Sequence, residues 1–143
     1  MALLSANLHR STLRGAGLHA GVASVHTAGV EPQFRSFRSL PGFKLAHGAT
    51  AQPLFGDGAM LNLVELEPNA IVARHSHPHE QLGVILRGSM TLVVEGTDHV
   101  LEEMDGYTLP GHVEHEGVAG AEGALVLDVF APVREDYRDK APS

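Results

Sequence analysis

An all-β sandwich or barrel is the fold this sequence predicts, on three observations. Past about Phe34 the apolar runs are of strand length, glycine, proline and acidic turns cut them at short intervals, and no segment there holds a helical period over three turns.

In chain order the strand-like runs are Ala59 to Leu66 (AMLNLVEL), Gln81 to Leu86 (QLGVIL), Ser89 to Glu95 (SMTLVVE), His99 to Glu102, Tyr107 to Leu109, and Ala124 to Ala131 (ALVLDVFA). Each is rich in valine and leucine or bounded by turn residues, as strands are. The connections Glu-Gly-Thr-Asp at 95–98 and Met-Asp-Gly at 104–106 are of hairpin length. Beyond Arg134 the chain is charged and closes on Lys-Ala-Pro-Ser, which predicts a short helical turn and a frayed end.

The chain has 143 residues, most simply one domain that buries roughly two thirds of its unfolded surface. Residues 1–30 stand apart: they hold two arginines and three histidines and no acidic group, a composition that fits a flexible or targeting-like N-terminal tail. The expected barrel domain is 31–137, with a C-terminal tail at 138–143. There is no cysteine, so disulfides, thiolate metal sites and cysteine nucleophiles are excluded. Any metal site must use nitrogen and oxygen donors. The formal charge of -7 disfavours nucleic acid and anionic membranes as main partners, and no apolar run reaches membrane-spanning length. The expected partner is a small molecule, the expected location the cytoplasm.

The stretch Arg74 to Gln81, RHSHPHEQ, carries the chemistry. On a strand, His75, His77 and Gln81 share parity and face one way, while Glu80 faces the other. Pro78 interrupts the ladder, so parity gives His79 no direction. A further ligand is offered by His115 in GHVEHE, ahead of another apolar run. The alternative is an exposed polar loop of inert histidines; the joint pattern favours a nitrogen and oxygen metal site.

These residues resemble the cupin superfamily. Its first motif, Gly, five residues, His-x-His, three or four residues, Glu, six residues, Gly, runs here from Asn69 through His75, His77 and Gln81 to Gly88 with every interval kept. Its second motif keeps Pro110 and His115, but Met104, His112 and Ala119 stand where Gly, Gly and Asn are usual, which puts the loop geometry in question. The resemblance implies an antiparallel double-stranded β-helix, a jelly-roll barrel, holding a divalent transition metal (Fe, Mn, Ni, Co or Zn) on His75, His77, Gln81 and His115. A neutral Gln81 in place of glutamate would leave such a metal its full dipositive charge.

The stretch LDVFAPVREDY, Leu127 to Tyr137, adds a likeness to small single-domain cupins of the pectin degradation type, which act on 4,5-unsaturated uronate monosaccharides and help convert them to a linear keto form. That likeness implies a lyase or isomerase step with Asp128, Phe130 and Arg134 at the pocket, and a homodimer. Read from the residues alone, two phases stay open: either Val126, Asp128 and Phe130 face the core, or Leu127, Val129 and Ala131 do. Arg134 is either a carboxylate clamp or a solvated partner of Glu135 and Asp136. A ferrous-iron dioxygenase and a non-catalytic ligand-binding barrel are the alternative functions. Arg87 and His79 are further candidates for local attraction of an anion, and His79 and His112 carry no assigned role.

Overall fold

A computed structural model describes Gly29 and residues 31–143. The expected tail at 1–30 otherwise lies outside the described residues. Eight antiparallel strands follow in order: β1 (Phe43–Ala46), β2 (Ala49–Phe55), β3 (Met60–Leu66), β4 (Ile71–His75), β5 (Glu80–Val94), β6 (Thr97–Leu101), β7 (Gly106–Leu109) and β8 (His115–Ala131), then a single helical turn, α1 (Glu135–Arg138). The all-β antiparallel barrel expected from the sequence is the fold observed.

Two long strands organise it. The first half of β5 and the second half of β8 pair with each other and extend through β3, β2 and β1 on one side and β7 on the other. Their remaining halves pair again and carry β4 and β6. Register shifts between Ile85 and Arg87 and between Gly88 and Met90 mark where the pair passes from one sheet to the other. The sequence divides β5 into two strands at Arg87-Gly88, but the chain runs through: Gly88 takes φ 76 and sits under Gly123. Likewise Ala124 to Ala131 is only the second half of β8.

The strands β1, β2 and β4 are not among the strand-like runs of the sequence: β1 and β4 have only 4 and 5 residues, and Pro53 interrupts β2. Pro53 in β2 is tolerated because β1 pairs only as far as Ala51, so β2 is an edge where the missing N–H goes unused.

The open phase on β8 is decided by burial: Ala124, Val126, Asp128 and Phe130 are buried, with Leu127, Val129 and Ala131 only partly covered. On β3 the inward set is Met60, Asn62, Val64 and Leu66. Of these, Val64 and Leu66 pack with Ile85, Met90, Leu92, Leu109 and Val126 into the main core. A second cluster of Met60, Phe130, Val133 and Tyr137 fastens α1 to the barrel mouth. The expected C-terminal tail begins inside α1, and the N–H groups of Lys140 and Ala141 turn back to the Tyr137 carbonyl at 3.2 and 2.9 Å.

The departures from the two motifs leave the backbone intact. Asn69, Met104 and His112, which stand at glycine positions of the pattern, adopt φ of 60, 71 and 68. Tertiary hydrogen bonds hold all three: Asn69 N–H donates to the Gly120 carbonyl at 3.1 Å, Met104 N–H to the Ile85 carbonyl at 2.8 Å and His112 N–H to the His77 carbonyl at 2.7 Å.

Candidate metal centre

The bond from His112 ties the loop before β8 to the loop between β4 and β5, and so brings the two histidine blocks together. His75, the last residue of β4, and His115, the first of β8, are direct register partners, with ring centroids 4.3 Å apart. His77 follows in the loop, its ring 5.1 Å from that of His115. One ring nitrogen from each of the three lies within 4.8 Å of the others, an arrangement that could hold a metal ion.

Their outer nitrogens are all engaged in one manner. Nδ1 of His75, His77 and His115 faces the carbonyl of Ala73, His79 and Val113 at 2.7, 3.1 and 2.8 Å. Only an N–H is favourable against a carbonyl, so each ring is set as the Nδ1–H tautomer with its Nε2 lone pair free. Nε2 of His115 is buried and has no partner. Burial, foremost, pushes the His115 pKa down, and pushes that of His77 down to about 4 with help from the Arg134 charge. Both rings are therefore neutral near pH 7, the form that donates a lone pair.

Gln81 lies beside the three histidines. Its Nε2 donates to Asp128 Oδ1 at 3.0 Å and to the Tyr107 hydroxyl at 3.4 Å. That orients Oε1 toward His77 Nε2, 3.1 Å away. With Nδ1 of His77 carrying the proton, two lone pairs face each other there. A cation bound by both removes the conflict, and the residues present fit a nitrogen and oxygen metal site for this reason.

Asp128 is 6 % exposed, and burial raises its pKa to about 6 against the opposing pull of Tyr107, Gln81 and Arg134. Tyr107, missed by the sequence reading, donates its hydroxyl to Asp128 Oδ1. It can do so because Gly83 lies between them: Tyr107 and Asp128 both register with Gly83, on opposite sides of β5, and a Cβ there would meet the phenol ring at 2.2 Å. Burial and the Asp128 charge hold the Tyr107 pKa well above its usual value. A glycine inside a strand pattern was the signal that could have found this close approach. On the other flank Asn62 registers with Asp128; it is 1 % exposed and neither amide atom has a partner. A lone polar residue in the inward phase of AMLNLVEL was its signal.

Phe130, 2 % exposed, packs edge-on against the His77 ring at 5.4 Å. Arg134 sits between the two readings offered for it. Its side chain is only 11 % exposed and stacks on Tyr137 at 4.0 Å, yet it binds Asp136 through Nε and Nη2 at 3.2 and 2.8 Å. Arg87 pairs with exposed Glu65 at 3.3 Å and does not line the site cavity. His112 is exposed, its role being the backbone bond. His79 offers its carbonyl to His77 and has a buried, unpartnered Nδ1. Among the described residues no helix is long and apolar enough to cross a membrane.

Comparison with known proteins agrees with this geometry. Residues 62–130 match the family model described as the cupin domain. The chain is 31 % identical over 84 residues to the pectin degradation protein KdgF of Dickeya dadantii, covering 58 % of this chain and 76 % of that one. Among solved structures, KdgF from Halomonas is 25 % identical with a TM-score of 0.69, over 74 % of this chain and 98 % of that one. An RmlC-like cupin from Shewanella frigidimarina is 27 % identical, also at 0.69, over 78 % and 99 %.

Proposed function

This chain belongs to the cupin superfamily, among the small cupins related to the pectin degradation protein, and from that premise we propose that it is a metal-dependent isomerase of a 4,5-unsaturated uronate monosaccharide. The observation that carries the reading is the placement of one buried carboxylate, Asp128, against the same cavity as His75, His115 and Gln81.

Written out, the reaction moves protons and neither gains nor loses electrons. The C1 hydroxyl gives up its proton, the bond from C1 to the ring oxygen breaks to leave an aldehyde at C1 and an enolate at C5, and return of one proton to C4 completes the linear ketone. A divalent transition metal on His75, His77, His115 and Gln81 would supply Lewis acidity to a substrate oxygen.

Asp128 is the proton carrier. Tyr107 and Gln81 both bond its Oδ1, so Oδ2 is the oxygen left to the substrate. Arg134 orients the substrate carboxylate with the N–H groups not engaged by Asp136 and Tyr137. Phe130 supplies an apolar wall.

Asp128→Ala tests the assignment. The isomerisation rate is expected to fall by about 10²–10⁴-fold while elemental analysis finds the metal content unchanged. Oxygen uptake during turnover would sink the proposal in favour of a dioxygenase.

A further inference from the structure

The cavity against the histidines is too small for a sugar. Its volume is ≈ 50 Å³, room for about one or two water molecules, whereas small-molecule sites run to about 300 Å³ or more. A second cavity of ≈ 300 Å³ adjoins it, and the two share Val72, His75, Arg134 and Tyr137. A ligand reaching the histidines must extend into this antechamber.

Its walls are cationic. Arg74, Arg134 and Lys140 line it and no acidic residue does. Two of these charges are already balanced outside: Arg134 by Asp136 at 2.8 Å, and Arg74, loosely, by Glu114 at 3.6 Å. Lys140 has no ion pair among the described residues, although its charge, after that of Arg134, helps hold the Asp136 pKa down; its Nζ lies 5.8 Å from the Tyr137 ring, which also carries Arg134 at 4.0 Å. Three cations against two outer carboxylates leave the antechamber net positive, and Lys140 is the cation without a contact ion pair. The chain as a whole, at -7, would repel an anion, so attraction has to be local.

We propose that this antechamber is a carboxylate subsite and that Lys140 is its specificity-determining cation, selecting an acidic sugar over the neutral sugar of the same shape. The inference deepens the reading above and rests on it only for the class of sugar. Arg134, ion-paired with Asp136, supplies direction through its fixed N–H groups; Lys140, with no contact ion pair, supplies a charge free to turn to the ligand.

The test is calorimetric titration of the full-length, metal-loaded protein with sodium D-galacturonate and with D-galactose, in wild type, Lys140→Glu, Lys140→Arg and Arg87→Glu. Galacturonate is expected to bind wild type at least about tenfold more tightly than galactose, Lys140→Glu to erase most of that preference, and Lys140→Arg to keep it. Arg87→Glu makes the same change in net charge away from the cavity and leaves the preference within about twofold. The proposal is overturned if wild type shows no preference, if Lys140→Glu retains it, or if Arg87→Glu loses it equally. Turnover separates this result from the reaction. Galacturonate binding through Lys140 with no conversion of unsaturated uronate keeps the subsite and removes the isomerase; conversion with a KM indifferent to Lys140→Glu does the reverse.

Discussion

The two histidine blocks differ in how they keep one geometry. From Asn69 to Gly88 the interval pattern is complete, and the tight approach at Gly88 is made by glycine, with the Gly123 carbonyl where a Cβ would stand. From Met104 to Ala119 two glycine positions hold Met104 and His112, and yet the left-handed backbone is there at φ 71 and 68. Glycine is required where a neighbouring backbone occupies the Cβ position; elsewhere it only lowers the energy of a conformation that tertiary bonds can impose. A left-handed non-glycine residue costs about 1–2 kcal/mol, which those bonds absorb.

The comparison breaks first at the metal. His77→Ala from one block and His115→Ala from the other are each expected to weaken metal binding by more than about a hundredfold, measured by competition with a chelator. Chelation should lower the melting temperature of wild type and leave that of His115→Ala unmoved. If only one variant loses metal, the blocks do not form one site.

At Gly88 the expected effect is on folding. Gly88→Ala brings a Cβ to 2.1 Å from the Gly123 carbonyl oxygen at φ 76, which adds overpacking to backbone strain and should destabilise by about 3 kcal/mol in urea unfolding. A loss within about 0.5 kcal/mol would show that the crossing of β5 and β8 accommodates a side chain there.

The smallest effect is of opposite sign. Met104→Gly and His112→Gly each relieve the left-handed penalty and add unfolded-state entropy, for a net gain of about 0.5–1 kcal/mol. Destabilisation by either would mean that its side chain, and not its φ, is what the loop uses.

Much of the fold was legible because alternation and turn residues are local signals. Met60, Val64 and Leu66 announced β3 by themselves, and the Gly-Asp-Pro-rich connections marked the hairpins. Two further strands were not: β4 (IVARH) and β2 (ATAQPLF) are stabilised by the partners they find, which their own composition does not name. At the site, the spacing of His75, His77, Gln81 and His115 could be read directly. Tyr107 and Asn62 could not be tied to Asp128 without knowing that β7, β5, β8 and β3 lie side by side.

The sequence by itself determined the donor types open to the candidate centre: imidazoles and an amide at fixed intervals, with thiolates absent. It also determined which residues could alternate inward. The tertiary structure decided which phase of β8 did so, which way the Gln81 amide turns, and that Arg134 makes a contact ion pair with Asp136 while Lys140 makes none among the described residues. The reason is geometric. Register brings residues far apart in the chain, such as Tyr107, Gly83 and Asp128, onto neighbouring strands about 4.8 Å apart, and a hydrogen bond made across that distance leaves no trace in the spacing along the chain.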